Sequence, residues 1–210
     1  YLKIKEELDL KYDIEEAFNT LKASLNKQMS IDSLASKGEF FAAQLLAEYI
    51  GYTFVDAKDV LKFKYDSQID YDASQVLFSN ALEAHGKIVV PGFYGSYPNQ
   101  SIHLLPRGGS DLTGSISARV LKADLYENWT DVNGIYTASP SIIKDVTQIE
   151  EITYRELREL SYRGANVLHE EGGCISSIVE LALQGGSYSG GVLGNNGPTS
   201  PRSSIGSILE

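Results

Sequence analysis

Apolar residues recur at helical spacing along the first part of the chain. One stretch follows Asp13, a helix-capping residue type, and predicts a helix over residues 13–25. A second follows Ser36 and stops at Gly51, a residue type that commonly ends helices. A third follows Asp72 and predicts another capped helix. These segments have the periodicity of structural helices that bury one face.

Segments with the character of strands alternate with these helices. Strands are predicted over residues 53–56, 87–91 and 124–130, and a further strand ends at Pro106. The run at 87–91 is almost continuously apolar, which is typical of a strand covered on both faces in a parallel sheet. The alternation predicts an α/β fold, a three-layer sandwich with helices on both faces of a mostly parallel central sheet.

Composition narrows the class of protein. Of 210 residues, 42% are hydrophobic, which is ordinary for a globular core, and no apolar stretch approaches the length of a membrane span. The single cysteine, Cys174, has no partner for an internal disulfide and fits a reducing compartment. A net charge of −10 argues against a nucleic-acid surface. We expect a cytoplasmic protein that binds neither nucleic acid nor membrane.

The C-terminal segment, residues 172–210, differs in composition from the rest of the chain. Nine of its residues are Gly and eight are Ser. Residues 175–183 have the apolar character of one helix within this segment. The sequence therefore predicts a domain over residues 1–171, followed by a Gly/Ser-rich tail of unknown structure.

A glycine-rich stretch carries the strongest candidate chemistry. Gly108 and Gly109 permit a tight turn, and the apolar spacing after Ser110 predicts a helix whose first N–H groups suit a phosphate or carboxylate. Arg107 offers a planar fork for a carboxylate. Asp111 places a negative charge where the anion would lie. This costs energy unless Asp111 meets a cation or the ammonium group of a ligand. The alternative is a plain glycine turn with an Asp cap and a solvated Arg.

Three candidate loops follow predicted strands, at residues 91–97, 106–111 and 130–137. Because the carboxyl ends of parallel strands share one edge, we expect the loops to converge on one cleft. The third loop region contributes three polar residues, Thr130, Asp131 and Tyr136.

Glu39 is a further candidate for this cleft, although its spacing from Ser36 also fits a helix capping box. The whole set suits phosphoryl transfer, which requires mainly positioning and charge neutralisation. The Walker pattern Gly-x-x-x-x-Gly-Lys-Ser/Thr is absent, so a P-loop enzyme is excluded. The sequence shows no cluster of His or Cys with metal-ligand spacing.

Five motifs in the same order support one family resemblance. They are Ser36-Lys37-Gly38-Glu39, Gly92-Phe93-Tyr94-Gly95-Ser96, Arg107-Gly108-Gly109-Ser110-Asp111, Trp129-Thr130-Asp131-Val132-Asn133-Gly134-Ile135-Tyr136 and Gly164-Ala165-Asn166-Val167-Leu168-His169. On these motifs the chain resembles the aspartate kinases of the amino-acid-kinase superfamily, over about residues 1–171. The resemblance implies transfer of the γ-phosphate of ATP, with Mg²⁺, to the side-chain carboxylate of L-aspartate. The product, 4-phospho-L-aspartate, begins lysine, threonine and methionine biosynthesis, and the resemblance also implies a homodimer.

The resemblance implies a role for each candidate residue. Substrate binding is assigned to Glu39, Arg107, Gly108 and Gly109. The catalytic residues at the reacting phosphate are Ser110 and Asp111. Nucleotide binding is assigned to Thr130, Asp131 and Tyr136. No side chain is assigned as a metal ligand.

The chain departs from the family pattern in four places. No Lys-Phe-Gly-Gly loop precedes the motifs, Ser139-Pro140-Ser141 replaces Asp-Pro-Arg, and Asn166 replaces a lysine. Residues 172–210 do not resemble the family's continuation or its ACT domains. These departures predict a partial catalytic domain over residues 1–171 with low activity. Two alternatives are a non-catalytic domain that binds a ligand or partner, and a sister kinase acting on another amino-acid carboxylate such as glutamate.

Overall fold

The computed structural model describes most of the chain up to residue 130 and shorter segments beyond it. The described residues are 1–25, 29–106, 108–130, 137, 143, 145–147, 149, 156, 159, 180–185 and 191–193. They belong to two compact units, Tyr1–Ser110 and Asp111–Leu209. Within these ranges, no helix combines the length and apolar character that crossing a bilayer requires.

The first unit contains six helices and four short strands among its described residues. The helices are α1 (Leu2–Glu7), α2 (Ile14–Ser24), α3 (Ile31–Ala35), α4 (Lys37–Ile50), α5 (Ala57–Val60) and α6 (Tyr71–His85). The strands are β1 (Thr53–Phe54), β2 (Ile88–Val89), β3 (Tyr94–Ser96) and β4 (Ile102–Leu104). The β1 and β2 strands pair in parallel, with Thr53 opposite Ile88, and β3 pairs antiparallel with β4.

Local capping explains where several helices begin and end. The Asp13 carboxylate accepts a hydrogen bond from the backbone N–H of Glu16 at 2.9 Å, so α2 begins as predicted. Helix α4 ends before Gly51, whose φ of +72° is the left-handed conformation of a helix C-terminus. The predicted cap on Asp72 is wrong. Asp70 caps α6 instead, because its carboxylate accepts a hydrogen bond from the N–H of Ala73.

The core of the first unit lies where α4 packs on β1 and β2. Ala43 and Ala47 on α4 are buried against Val89 on β2, and small side chains allow the helix to approach the strands closely. The ring of Phe40 meets that of Phe54 edge-on at 5.0 Å between centroids. This packing fixes α4, and with it the motif that begins at Ser36.

The segment 91–97, predicted as a plain loop after a parallel strand, contains β3. This strand pairs with β4 in an antiparallel ribbon, with Tyr94 opposite Leu104. The prediction failed because the backbone groups of β3 bond to a strand that follows closely in sequence rather than remaining free. The described strands therefore combine parallel and antiparallel pairs.

The second unit joins α7, which begins at the end of the first unit, to a three-stranded sheet. Its elements are α7 (Gly109–Val120), β5 (Leu125–Thr130), β6 (Glu180–Gly185) and β7 (Gly191–Leu193). The β6 strand runs parallel to β5 and antiparallel to β7. The helix predicted over residues 175–183 is therefore wrong where it overlaps β6. The domain boundary at residue 171 stays a prediction.

Helix α7 is buried although it is rich in small polar residues. Ser115 and Ser117 are buried, and each hydroxyl donates to the backbone carbonyl four residues earlier, Asp111 and Thr113 respectively. Ile116 supplies an apolar side chain that is almost fully buried. Serine hydroxyls that bond within their own helix need no outside partner, so this helix tolerates a buried position.

Candidate functional site

The start of α4 carries the Glu39 motif, and its geometry differs from a capping box. The Ser36 hydroxyl donates to the carbonyl of Ser33 at 2.9 Å, and the Ser36 N–H donates to the carbonyl of Asp32 at 3.0 Å. Both groups donate to carbonyls of α3, of which Ser36 is the C-terminal cap, and the Ser36 side chain makes no capping hydrogen bond to the first turn of α4. The capping-box interpretation of Ser36 and Glu39 is wrong for this reason.

The Glu39 carboxylate is half-buried in the first turn of α4. Burial raises the pKa of Glu39 above its ordinary value. Among the residues that the structure describes, none donates a hydrogen bond to this carboxylate or pairs with it as a cation. A half-buried carboxylate of this kind is well suited to receive the ammonium group of a ligand.

Lys37, two residues earlier on the same helix, is also half-buried. Its ammonium lies 4.4 Å from the centroid of the Phe40 ring, a cation–π contact. Burial lowers the pKa of Lys37, and the nearby Asp56 carboxylate opposes that shift. The first turn of α4 thus presents one cation and one anion, each partly withdrawn from water.

The glycine-rich stretch forms the turn and helix start that the sequence predicts. After β4, Gly108 adopts a left-handed φ of +82°, and α7 begins at Gly109. Ser110 and Asp111 lie in the first turn of this helix and are half-buried. The N–H groups of a first turn have no partner four residues earlier in the helix, so this end attracts anions.

Two of the three predicted loops meet within the first unit. A Cβ atom at Gly92 would lie 2.7 Å from the Ser110 hydroxyl oxygen, and one at Gly109 would lie 2.7 Å from the Cβ of Phe93. Only glycine at both positions allows this approach. The segments 91–97 and 106–111 are therefore in contact, but the first of them lies in an antiparallel ribbon and not at the predicted edge of a parallel sheet. The convergence of the third loop on the same cleft stays a prediction, and the Gly92-Phe93 turn packs against the start of α7.

Of the remaining predicted site residues, the structure describes Thr130. Arg107, Asp131 and Tyr136 lie outside the described residues. Thr130 is the last residue of β5, paired in register with Gly185, so it occupies the carboxyl end of a parallel strand as predicted.

A buried polar network in the first unit was missed by the sequence analysis. The Tyr94 hydroxyl donates to Asp56 at 2.8 Å, and the same carboxylate oxygen accepts from the N–H of Lys58 at 3.1 Å. Burial, followed by the negative charge of Asp56, raises the pKa of Tyr94, so its hydroxyl stays protonated. The spacing of Asp56 before a short helix signals a cap, but no local pattern signals a partner 38 positions away.

A second polar contact joins the Lys58 carbonyl of α5 to the last residue of β3. The Ser96 hydroxyl and the Lys62 ammonium both donate to the carbonyl of Lys58, at 2.6 Å each. The Lys62 ammonium also donates to the Ser96 hydroxyl at 3.0 Å, and burial lowers the pKa of Lys62. Strand β3 is therefore tied to α5 at both of its ends.

These features define an α/β fold in which a glycine turn opens the helix α7. The sequence model of the amino acid kinase family matches residues 3–172. The chain belongs to the amino acid kinase family. The resemblance drawn from the five motifs and the α/β fold class are both confirmed.

Similar proteins and structures include several aspartokinases. Aspartokinase 3 of Bacillus subtilis is 39% identical over 155 residues, which are 70% of this chain and 34% of that protein. An aspartokinase of Rickettsia prowazekii is 34% identical over 158 residues, 70% of this chain and 35% of that protein. The chain thus spans about a third of the length of these curated relatives.

Two solved structures extend the similarity to three dimensions. Aspartate kinase from Clostridium acetobutylicum superposes with a TM-score of 0.82 at 36% identity, covering 92% of this chain and 44% of that one. Aspartokinase III of E. coli, in complex with aspartate and ADP, gives a TM-score of 0.69 at 27% identity, covering 87% of this chain and 44% of that one.

Proposed function

We propose that this chain provides the aspartate and phosphate sites of an aspartate kinase, which transfers the γ-phosphate of ATP to the side-chain carboxylate of L-aspartate. The observation that carries the proposal is the glycine turn at Gly108 and Gly109, which opens α7 with Ser110 and Asp111 in its first turn. Support comes from the aspartokinases to which the chain is similar, among them one whose structure holds aspartate and ADP.

Glu39 and Arg107 bind the amino-acid substrate in this proposal. The half-buried Glu39 carboxylate receives the ammonium group of aspartate. Burial raises the pKa of Glu39, and a nearby cation stabilises its ionised form. The guanidinium of Arg107 pairs with a carboxylate through two parallel hydrogen bonds. The Gly108-Gly109 backbone lets the substrate approach closely because neither residue carries a side chain.

Ser110 and Asp111 act at the phosphate being transferred. The N–H groups at the start of α7 and the Ser110 hydroxyl donate to phosphate oxygens, which stabilises the charge that develops during transfer. When bound, Mg-ATP supplies the phosphoryl group and neutralises part of its charge. Asp111 would hold a cationic group or, through water, Mg²⁺ there.

The donor set at this helix start fits Mg²⁺ bound through substrate. In the part of the chain that the structure describes, no three His, Cys, Asp or Glu side chains cluster as a metal site. Mg²⁺ commonly binds through one or two carboxylates together with substrate phosphates, so a single carboxylate at Asp111 is consistent with it. The ion would therefore arrive with the nucleotide.

Thr130, Asp131 and Tyr136 bind the nucleotide in the same proposal. Thr130 lies at the carboxyl end of the parallel strand β5, where ligands of α/β proteins are commonly bound. The homodimer, the cytoplasmic location and the place of the reaction in lysine and threonine biosynthesis stay predictions.

Calorimetric titration of L-aspartate into the 210-residue chain tests the proposal, with Mg²⁺ and a non-hydrolysable ATP analogue present. We expect saturable binding that is weaker for L-glutamate. Equal binding of both amino acids would favour a sister kinase instead. In a separate assay with ATP, nucleotide binding without ADP release at saturating aspartate would favour the non-catalytic alternative. In the titration, a folded chain that binds neither ligand would refute the proposal.

Substitution of Arg107 distinguishes its role in binding aspartate from a role in binding the nucleotide. Arg107→Ala should lose about tenfold or more in aspartate affinity, because a charge-assisted pair is removed, while nucleotide affinity is largely kept. Lys64→Ala removes an exposed cation elsewhere in the first unit and serves as the matched control. Equal losses of aspartate and nucleotide affinity in Arg107→Ala would contradict its assigned role.

A further inference from the structure

We propose that Tyr94 and Asp56 are positioning residues that hold the Gly92-Phe93 turn against the start of α7, and so set the geometry of its phosphate-binding end. The inference rests on the proposed function for its ligand readout. Its structural part stands on contacts within the first unit alone.

The Asp56 end of the contact is fixed by several groups. Asp56 is 8% exposed and follows β1, and its carboxylate caps α5 by accepting from the N–H of Lys58. The Lys58 ammonium lies 3.5 Å from the other carboxylate oxygen. The acceptor for Tyr94 is therefore held in place by β1, α5 and a neighbouring cation.

The Tyr94 end is equally constrained. Its side chain is 1% exposed, and the ring lies edge-on to that of Phe93 at 6.0 Å between centroids. Because the hydroxyl stays protonated, it donates to Asp56 throughout the ordinary pH range. The hydrogen bond to Asp56 thus fixes the residue that follows the Gly92-Phe93 turn directly in sequence.

Phe93 itself requires such support. Its φ of +59° lies in the left-handed region, which costs energy for a residue with a bulky side chain. The Phe93 carbonyl accepts a hydrogen bond from the N–H of Leu105 at 2.8 Å, which joins the turn to the residue after β4. A strained turn persists only when its surroundings determine it, and Tyr94 provides that restraint on one side.

Movement of the Gly92-Phe93 turn affects α7 because the turn and the start of the helix are packed without space between them. Atoms of Phe93 and Ser110 fill the space in which a Cβ would lie at Gly109 and at Gly92, respectively. A shift of the turn by a few tenths of an ångström therefore moves the start of α7 or opens a gap beside it. Either change alters where the first N–H groups of the helix point.

Removal of the Tyr94 hydroxyl should loosen the turn without releasing the whole strand. Ser96, two residues further along β3, keeps its own contacts with α5 through Lys58 and Lys62. The ring of Tyr94 remains buried when only its hydroxyl is removed. The expected effect is therefore local to the turn and the helix start.

The test compares Tyr94→Phe with Tyr97→Phe in the full chain. Both changes remove one phenol hydroxyl, but the Tyr97 hydroxyl bonds to Ser67 and His103, away from the turn. The first measurement is hydrogen–deuterium exchange of the amides of residues 113–116, the first that donate to carbonyls four residues earlier in α7, and it needs no ligand. The second is the affinity for ADP with Mg²⁺.

Tyr94→Phe should speed exchange at the start of α7 and weaken ADP binding by about tenfold each, the effect of losing one hydrogen bond to a charged group. Tyr97→Phe should leave both within roughly twofold of the parent chain, since its hydroxyl does not contact the turn. Unchanged exchange in Tyr94→Phe, or the same change in Tyr97→Phe, would overturn the inference. A parent chain that does not bind ADP would count against the proposed function, while exchange would still decide the positioning role.

Asp56→Asn provides the rescue experiment. Its side-chain oxygen still accepts from Tyr94 and from the N–H of Lys58, so exchange at the start of α7 should stay close to that of the parent chain. If Asp56→Asn speeds this exchange as much as Tyr94→Phe does, the hydrogen bond is not the contact that positions the turn.

Discussion

Gly109→Ala tests the close fit between the turn and α7. A Cβ atom at this position would lie 2.7 Å from the Cβ of Phe93, 2.9 Å from the Cβ of Leu105 and 3.0 Å from the Cα of Phe93. None of these atoms is the far end of a flexible side chain. The added methyl group therefore forces backbone movement in the turn, in the residue after β4 or in the helix.

Two opposing effects set the magnitude. Overpacking of a filled site costs about 1–3 kcal/mol in the free energy of unfolding. Alanine is the better helix former, and in a helix it returns up to about 1 kcal/mol relative to glycine. Because the close atoms are backbone or directly attached to it, the overpacking cost exceeds this gain. We expect a net loss of about 1–2 kcal/mol.

Gly38→Ala is the matched control. Gly38 also lies in the first turn of a helix, α4, but the nearest atom to an added Cβ would be the Tyr1 hydroxyl oxygen at 3.8 Å, an ordinary contact. With no overpacking, the same substitution should stabilise the chain by about 0.5–1 kcal/mol. The two variants are expected to shift stability in opposite directions.

Urea unfolding at a fixed temperature measures both variants, since a change in midpoint at constant slope is a change in stability. The Gly109→Ala midpoint should fall and the Gly38→Ala midpoint should rise. A Gly109→Ala chain at least as stable as the parent would show that the turn yields to the methyl group without cost. That result would refute the close packing on which the positioning role of Tyr94 depends.

Two further predictions concern capping and pH. Asp70→Ala should lower the free energy of unfolding by about 1 kcal/mol because it removes the cap of α6. Asp72→Ala should lower it by only a few tenths of a kcal/mol. Equal losses in urea unfolding would contradict the assignment of the cap to Asp70. Backbone N–H groups of Lys11 and Tyr12 donate to the Glu48 carboxylate and lower its pKa. A lowered pKa in the folded state stabilises the chain above the unfolded pKa, and this contribution disappears as pH falls through the folded pKa. Glu48→Gln should therefore be less stable than the parent chain at pH 7, and the difference in stability should shrink as the pH is lowered. A difference that does not depend on pH would refute the stabilising role of the Glu48 carboxylate.

Many helix boundaries could be predicted because their causes are local in sequence. Asp13 caps α2 through a residue three positions away, and Gly51 ends α4 through its own backbone conformation. Pro106 follows the end of β4, as its missing N–H requires. The glycine turn before Ser110 likewise needs only its own residues, so the start of α7 was also predictable.

Local sequence patterns gave wrong predictions where a residue or segment has more than one possible hydrogen-bonding partner. Ser36 has the spacing of a cap for α4, but it is also the C-terminal cap of α3, and its hydroxyl and N–H both donate to carbonyls of that helix. Asp70 and Asp72 both suit a helix start, and only the geometry of the chain entering α6 selects Asp70. The pairing of β3 with β4 and the strand at β6 depend on neighbours that the pattern of each segment does not specify.

The sequence by itself determined the family, the order of its motifs and the chemistry of the residues at the glycine turn. Tertiary structure decided how the Gly92-Phe93 turn beside it is held, because Asp56 and Tyr94 meet across 38 positions. It also decided that Gly92 and Gly109 must be glycine, since the atoms that would clash with a side chain belong to distant parts of the chain. Capping and turn formation depend on a few consecutive residues, whereas packing and long-range hydrogen bonds exist only after the chain has folded.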